Sequence, residues 1–302
     1  MSKDEIIVLF GVDMETDVGS YTPFYEGVKK GTPLLLNMFE KKGVEATFFF
    51  TGDCAKKHPE AVKMVKNSGN EVGCHSLVHE TVGDVLYEIP SELALLPEEV
   101  PLRLRIATEV VADALGDDPK SFRSPRLWGS TAVVNALEDL GYAADASYPM
   151  FHYKERLVPY HPSKEDWTKE GDLGIIEIPN FADMGMESKH PLGLDRDQWP
   201  LFRTKGAEAF IKHIDSFMGY VKERNLPAVL CFYIHPWEFV PMKEQYYFGM
   251  ATVIPDTFLI DGCGERGLKG LSGIIDTLSE RGAKFFSAKN LAEYWKKNYL
   301  GE

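Results

Sequence analysis

The strongest constraint on this chain is an alternation: short apolar, β-prone runs are followed repeatedly by longer amphipathic stretches. Glu5–Val12, Val44–Phe50, Asn70–Cys74, Ser121–Arg123, Leu173–Ile178, Ala228–Ile234 and Lys284–Phe286 read as strands. Between and after them, Gly27–Lys42, Pro59–Ser68, Leu104–Leu115, Thr131–Leu140, Ala207–Arg224, Leu271–Arg281 and Leu291–Tyr299 read as helices. Strands joined through helices pair in parallel, because each crossover returns the chain to its starting edge. About seven of them predict an α/β barrel rather than an open sheet. No Gly/Ser/Pro tract, low-complexity segment or internal repeat interrupts the pattern, so residues 1–302 are expected to form a single domain.

Charge narrows the partners. A net charge of −13 argues against nucleic acid or an anionic membrane as a binding surface. No stretch approaches the ~18 apolar residues of a membrane span. The N-terminal apolar run, Ile6 to Val12, is cut by Asp13 and lacks the flanks of a signal peptide. Cys54, Cys74, Cys231 and Cys263 show no paired spacing and are expected to be reduced thiols, which places the chain in the cytoplasm. Three stretches, Glu80–Pro101, Met150–Asp172 and Pro236–Cys263, are long for loops and carry many aromatics. Tyr148, Phe151, Tyr153, Tyr160, Trp167, Trp237, Tyr246, Tyr247 and Phe248 are therefore expected to wall a pocket. Long rim loops on an acidic barrel also fit a homo-oligomer.

The reactive residues fall in a pattern. Asp13 and Glu15 follow the first strand, His75 the third, Arg123 the fourth, Asp145 a later one, and His235 the strand Ala228–Ile234. In a parallel barrel those carboxyl ends share one face, where active sites form. His75 and His79, four apart, would lie on one face of a helix and could share an ion. Against this stands the reading of one core and one surface histidine. Either Glu15 or Asp13 would complete a two-His, one-carboxylate set, which suits zinc in hydrolases or Fe²⁺ in oxygenases. A solvated acidic loop is the plain alternative for the carboxylate pair. His235 has the chemistry of a proton donor to a leaving amine, and otherwise that of a rim histidine. Arg123 could orient Asp13 or Asp145, or form a salt bridge of structure alone. His58 and His213 read as helix-surface residues, and His152 and His161 as pocket residues without assigned chemistry.

Taken together, these strings resemble the NodB-homology polysaccharide deacetylases. The first motif corresponds to Val12-Asp13-Met-Glu15, the second to His75-Ser-Leu-Val-His79 and the third to Phe122-Arg123-Ser-Pro125. Asp145-Ala-Ser147-Tyr148-Pro149 corresponds to the fourth and Ile234-His235-Pro236 to the fifth. The resemblance implies a distorted (β/α)7 barrel of TIM-like type and a divalent metal, most commonly zinc. It assigns Glu15, His75 and His79 as metal ligands, Asp13 as general base and His235 as general acid, with Arg123 and Asp145 tuning the Asp and the His. The family's commoner form has two adjacent aspartates. The spaced Asp-x-Glu here resembles a cytosolic branch that includes cyclic-imide and ureide hydrolases. The implied function is metal-dependent hydrolysis of a non-peptide amide in a small molecule or short saccharide. A cyclic-imide or allantoinase-like activity is the alternative. A non-catalytic barrel that binds a ligand through its aromatic rim is the reading of another class.

Overall fold

In the computed structural model, which describes residues 5–89 and 94–302, the expected barrel forms around one long strand. β1 (Ile6–Met14) pairs in parallel with β2 (Ala46–Phe50) and, on its opposite edge, with β7 (Ala228–Ile234). From β2 the sheet continues through β3 (Glu71–Cys74), β4 (Ser121–Phe122), β5 (Ala144–Asp145) and β6 (Ile176–Glu177), all parallel. Closure toward β7 runs through irregular chain, where the Phe181 N–H donates to the Cys231 carbonyl at 2.8 Å. β8 (Tyr246–Phe248) and β9 (Ala251–Val253) form a separate antiparallel hairpin. β10 (Lys284–Phe285) pairs with the amino-terminal half of β1, on the edge that β2 occupies further along.

Alternation along each strand sets what faces the barrel axis. Ile7 and Leu9 of β1, Phe49 of β2, Ala144 and Ala146 around β5, and Val229 and Cys231 of β7 share one inner cluster. It is plugged at the amino-terminal end by Ala288, Leu291, Ala292 and Trp295 of the helix Ala288–Trp295. The opposite rows (Ile6, Val8, Phe10 and Val12 of β1, Leu230, Phe232 and Ile234 of β7) pack outward against helices that contribute Leu35, Phe39, Ile214 and Phe217. β1 is buried along its whole length on both faces, which explains its continuous apolar run.

Several expected elements change at their ends. The helix expected from Leu271 begins at Glu265, and the one expected at Leu291–Tyr299 begins at Ala288. His75–His79 is not helical: Ser76 and His79 both adopt left-handed backbone (φ 63° and 64°) in a loop. Glu80 holds that loop, accepting from the Ser76 hydroxyl (3.1 Å) and the Val78 N–H (2.7 Å). Residues 90–93 of the stretch Glu80–Pro101 lie outside the described residues. Among the described residues no helix is long and apolar enough to cross a membrane, and all four cysteines are free thiols.

Gly11 shows how tightly the interior is filled. It lies in the inward row of β1, and a Cβ there would overlap the guanidinium of Arg123. Gly11→Ala is therefore expected to cost about 1–3 kcal/mol of stability by overpacking, measured as a lower urea midpoint with unchanged m-value. An unchanged midpoint would mean that Arg123 does not occupy this space.

Candidate active site

Continuing the inward rows past the apolar core places polar groups at the carboxyl-terminal mouth. After Ile7 and Leu9, β1 presents Gly11 and Asp13, and Glu15 directly follows its end. After Val229 and Cys231, β7 presents Tyr233, and His235 directly follows its end. Glu15, His75, His79, Asp13 and His235 all border one cleft of about 250 Å³. Glu15 Oε2 lies 2.7 Å from His79 Nε2 and 3.5 Å from His75 Nε2, and its Oε1 is 3.8 Å from His235 Nε2. Ligand atoms of Glu15, His75 and His79 lie within 4.8 Å of one another, the cluster of this kind found among the described residues.

Both Glu15 oxygens are buried and accept no hydrogen bond from the protein. Burial by itself would raise this carboxyl, but the imidazoles of His79 and His75 hold it well below the usual carboxylate range. His75 donates its Nδ1–H to the Arg123 carbonyl (2.7 Å), which fixes the ring with Nε2 facing Glu15. A carboxylate without hydrogen-bond donors beside two imidazole nitrogens is a donor set that a divalent cation would satisfy. The residues present fit such an ion.

Arg123 is wholly buried. Its Nη1 donates to Asp13 Oδ1 (2.9 Å), Nη2 to Asn180 Oδ1 (3.2 Å) and Nε to the Ala146 carbonyl (3.1 Å), and the guanidinium lies over the Phe49 ring. Of the two carboxylates open to it from sequence, Arg123 takes Asp13.

Asp145 lies elsewhere. It pairs across the sheet with Phe122, which faces the outer core, while its neighbours Ala144 and Ala146 face the axis. Its side chain therefore points away from the mouth, where it accepts from the Ser147 hydroxyl and lies against Glu177. The carboxylate that meets His235 is Glu238, three residues further on, at 3.0 Å from Nδ1. Burial would lower the His235 pKa, but the Glu238 hydrogen bond and the nearby Glu15 and Asp13 carboxylates raise it overall. Sequence reasoning passed over Glu238, although an acidic residue at the third position of a turn opened by His-Pro is a recognisable capping spacing.

The walls also differ from expectation. Phe151 borders the cleft, but Tyr148, Tyr160 and Trp167 form their own buried cluster and Trp237 is buried behind His235. Tyr21, Tyr87, Trp199, Tyr233 and Phe258 supply the aromatic wall instead. His152 and His161 do not border the cleft, His58 pairs with Glu60, and His213 pairs with Asp183. Asp197, also unforeseen, faces the cleft with Tyr233 donating to it at 2.7 Å, and burial pushes its carboxyl up to about 6.

Residues 17–144 match the family model described as Polysaccharide deacetylase, a span that contains His75, His79 and Arg123. A peptidoglycan deacetylase of Helicobacter pylori is 23% identical over 280 residues, covering 83% of this chain and 84% of that protein. Among solved structures, a probable polysaccharide deacetylase from Pseudomonas aeruginosa PAO1 superposes with a TM-score of 0.61 at 14% identity, over 97% of this chain and 92% of that one. An allantoinase gives a TM-score of 0.60 at 13% identity, over 99% and 92%. At these identities the structural likeness speaks for the shared barrel.

The Asp145–Glu177 contact has a measurable signature. Burial pushes Asp145 up to about 6, and burial together with Asp145 pushes Glu177 well above the usual range. An unfolded Asp titrates near ~3.9, so between about pH 4 and 6 the folded chain holds a proton that the unfolded chain releases. Stability from this pair is thus lost as pH rises through that window. Asp145→Asn is expected to flatten the decline by on the order of 2 kcal/mol, read from urea midpoints at pH 4.5 and 7. Parallel pH profiles for the two proteins would refute the shared proton.

Proposed function

We propose that this chain is a polysaccharide deacetylase-type hydrolase of amide bonds, a reading supported by the match of residues 17–144 to that family model and by the similarity to the peptidoglycan deacetylase of Helicobacter pylori, that Glu15, His75 and His79 hold a divalent cation, zinc foremost, and that the bond cleaved is the N-acyl amide of a short amino-sugar saccharide. The observation that carries this reading is the placement of a donor-free buried carboxylate beside two imidazoles, with a second carboxylate and a third imidazole on the same cleft. Bound there, the cation supplies Lewis-acid chemistry, polarising the amide carbonyl and making a water more acidic.

The remaining work falls to the chain. Asp13, aimed by Arg123, takes the proton from the attacking water. His235 presents Nε2 to the cleft and donates a proton to the departing nitrogen, which would otherwise be too poor a leaving group. The aromatic wall, Tyr21 and Trp199 included, offers flat faces to the C–H faces of a sugar ring and excludes water from the reacting atoms.

A second reading keeps this machinery and changes the substrate to a cyclic imide or ureide. Cleft size favours it: about 250 Å³ lies just below the ~300–1,000 Å³ of typical ligand pockets and suits a single small ring. Assaying acetylated amino-sugar oligomers beside succinimide, hydantoin and allantoin separates the two. Acetate release with no ring opening supports the saccharide reading, and the reverse result replaces it.

Asp13→Asn and His235→Ala are each expected to lower turnover by on the order of 10²–10⁴-fold with metal content unchanged by elemental analysis. His79→Ala should lose the metal itself. Undiminished turnover in both catalytic variants would overturn the roles given to Asp13 and His235.

A further inference from the structure

An imidazole that delivers a proton from Nε2 must be held in one ring orientation with its other nitrogen protonated. For His235 that requirement is met by a buried side chain that the family motifs do not include. Glu238 is wholly buried in the turn Pro236–Phe239. Its Oε1 accepts from the His235 Nδ1–H (3.0 Å), the His235 backbone N–H (2.9 Å) and Trp199 Nε1 (3.0 Å). Its Oε2 accepts from Arg203 Nε at 2.8 Å. Four donors on one carboxylate leave it no freedom to turn, and because it can only accept, the proton between it and the ring belongs to Nδ1.

Arg203 extends the chain of contacts. It is wholly buried as well, and its remaining nitrogens donate to the carbonyls of Leu259 (2.9 Å) and Asp261. Leu259 and its neighbour Phe258 border the cleft. The segment that faces substrate is therefore tied through Arg203 and Glu238 to the histidine. The turn itself is seated by close packing: a Cβ on Gly31 would overlap the Pro236 carbonyl.

We infer that Glu238 is the positioning residue of His235, and that Arg203 anchors Glu238 and couples it to the cleft-bordering segment at Leu259–Asp261. The inference rests on the reading of His235 as proton donor. A Glu238–Arg203 pair kept only for stability would have no need to accept from the imidazole, and the experiment exploits that difference.

Glu238→Gln keeps the shape and removes the ability to serve both sides. With its oxygen toward Arg203, its amide N–H₂ opposes the Nδ1–H; with its oxygen toward the ring, it opposes Arg203 Nε. ¹⁵N-histidine NMR of the metal-loaded protein is expected to show a hydrogen-bonded Nδ1–H for His235 that is lost or shifts upfield in Glu238→Gln, where a neutral amide replaces the carboxylate. kcat should fall on the order of 10²-fold, with KM and metal content near those of the unmodified protein. Glu238→Asp, which keeps the charge on a shorter stem, serves if the amide variant does not fold, and is expected to lose the same signal. Arg203→Lys should raise KM as well, since it releases the carbonyls of Leu259 and Asp261. An unchanged Nδ1–H resonance and kcat in either Glu238 variant would overturn the inference. If the resonance is lost or shifts upfield but the unmodified protein hydrolyses none of the substrates above, the positioning stands and the proposed reaction fails.

Discussion

The Arg123 guanidinium lies wholly buried in the throat of the barrel, and much of the architecture is arranged around keeping a charge there. An unpaired cation in such a place would cost several kcal/mol. Asp13, Asn180 and the Ala146 carbonyl receive its hydrogen bonds, the Phe49 ring lies beneath it, and Gly11 leaves the space it fills. Residues from β1, β2 and the segments that follow β5 and β6 thus meet at one group. Its backbone carbonyl in turn receives the His75 Nδ1–H. One residue therefore aims both the carboxylate read as base and an imidazole read as ligand.

The second organising fact is the two-residue period of the strands. The inner face of the barrel is apolar up to Leu9 and Cys231, then changes within one or two positions to Asp13, Glu15, Tyr233 and His235. Asp13 lies within β1, and Glu15 and His235 directly follow the ends of β1 and β7, so paired strands fix the placement of these groups, which is what reproducible positioning of reacting atoms requires. Loops complete the mouth where the strands end. The left-handed residues Ser76 and His79 fold the segment back so that both imidazoles reach Glu15, and Glu80 secures the bend.

The same period explains where motif reasoning misplaced a role. A carboxylate at the end of β5 was expected to tune His235, and Asp145 stands at that end. Its parity puts it on the outer side with Phe122, against Glu177. Glu238 meets the histidine instead, from the turn that follows it. Both residues were visible as acids, but only the pairing of β4 with β5 and the path of the turn say which one reaches the ring.

Sequence by itself determined the strand Ala228–Ile234, the strand read as Val44–Phe50 and found at Ala46–Phe50, the parallel barrel, the shared face of Asp13, Glu15, His75 and His235, and the spacing of the two histidines. These are properties of local periodicity and chain order, which neighbouring residues encode. Tertiary structure alone decided that the His75–His79 segment is a loop, that Asp145 points away, that Glu238 and Arg203 stand behind His235, and which aromatics wall the cleft. Those outcomes depend on contacts between segments as far apart as Arg203 and Leu259. No local pattern carries them, because the energy that selects them exists only once the distant partners have met.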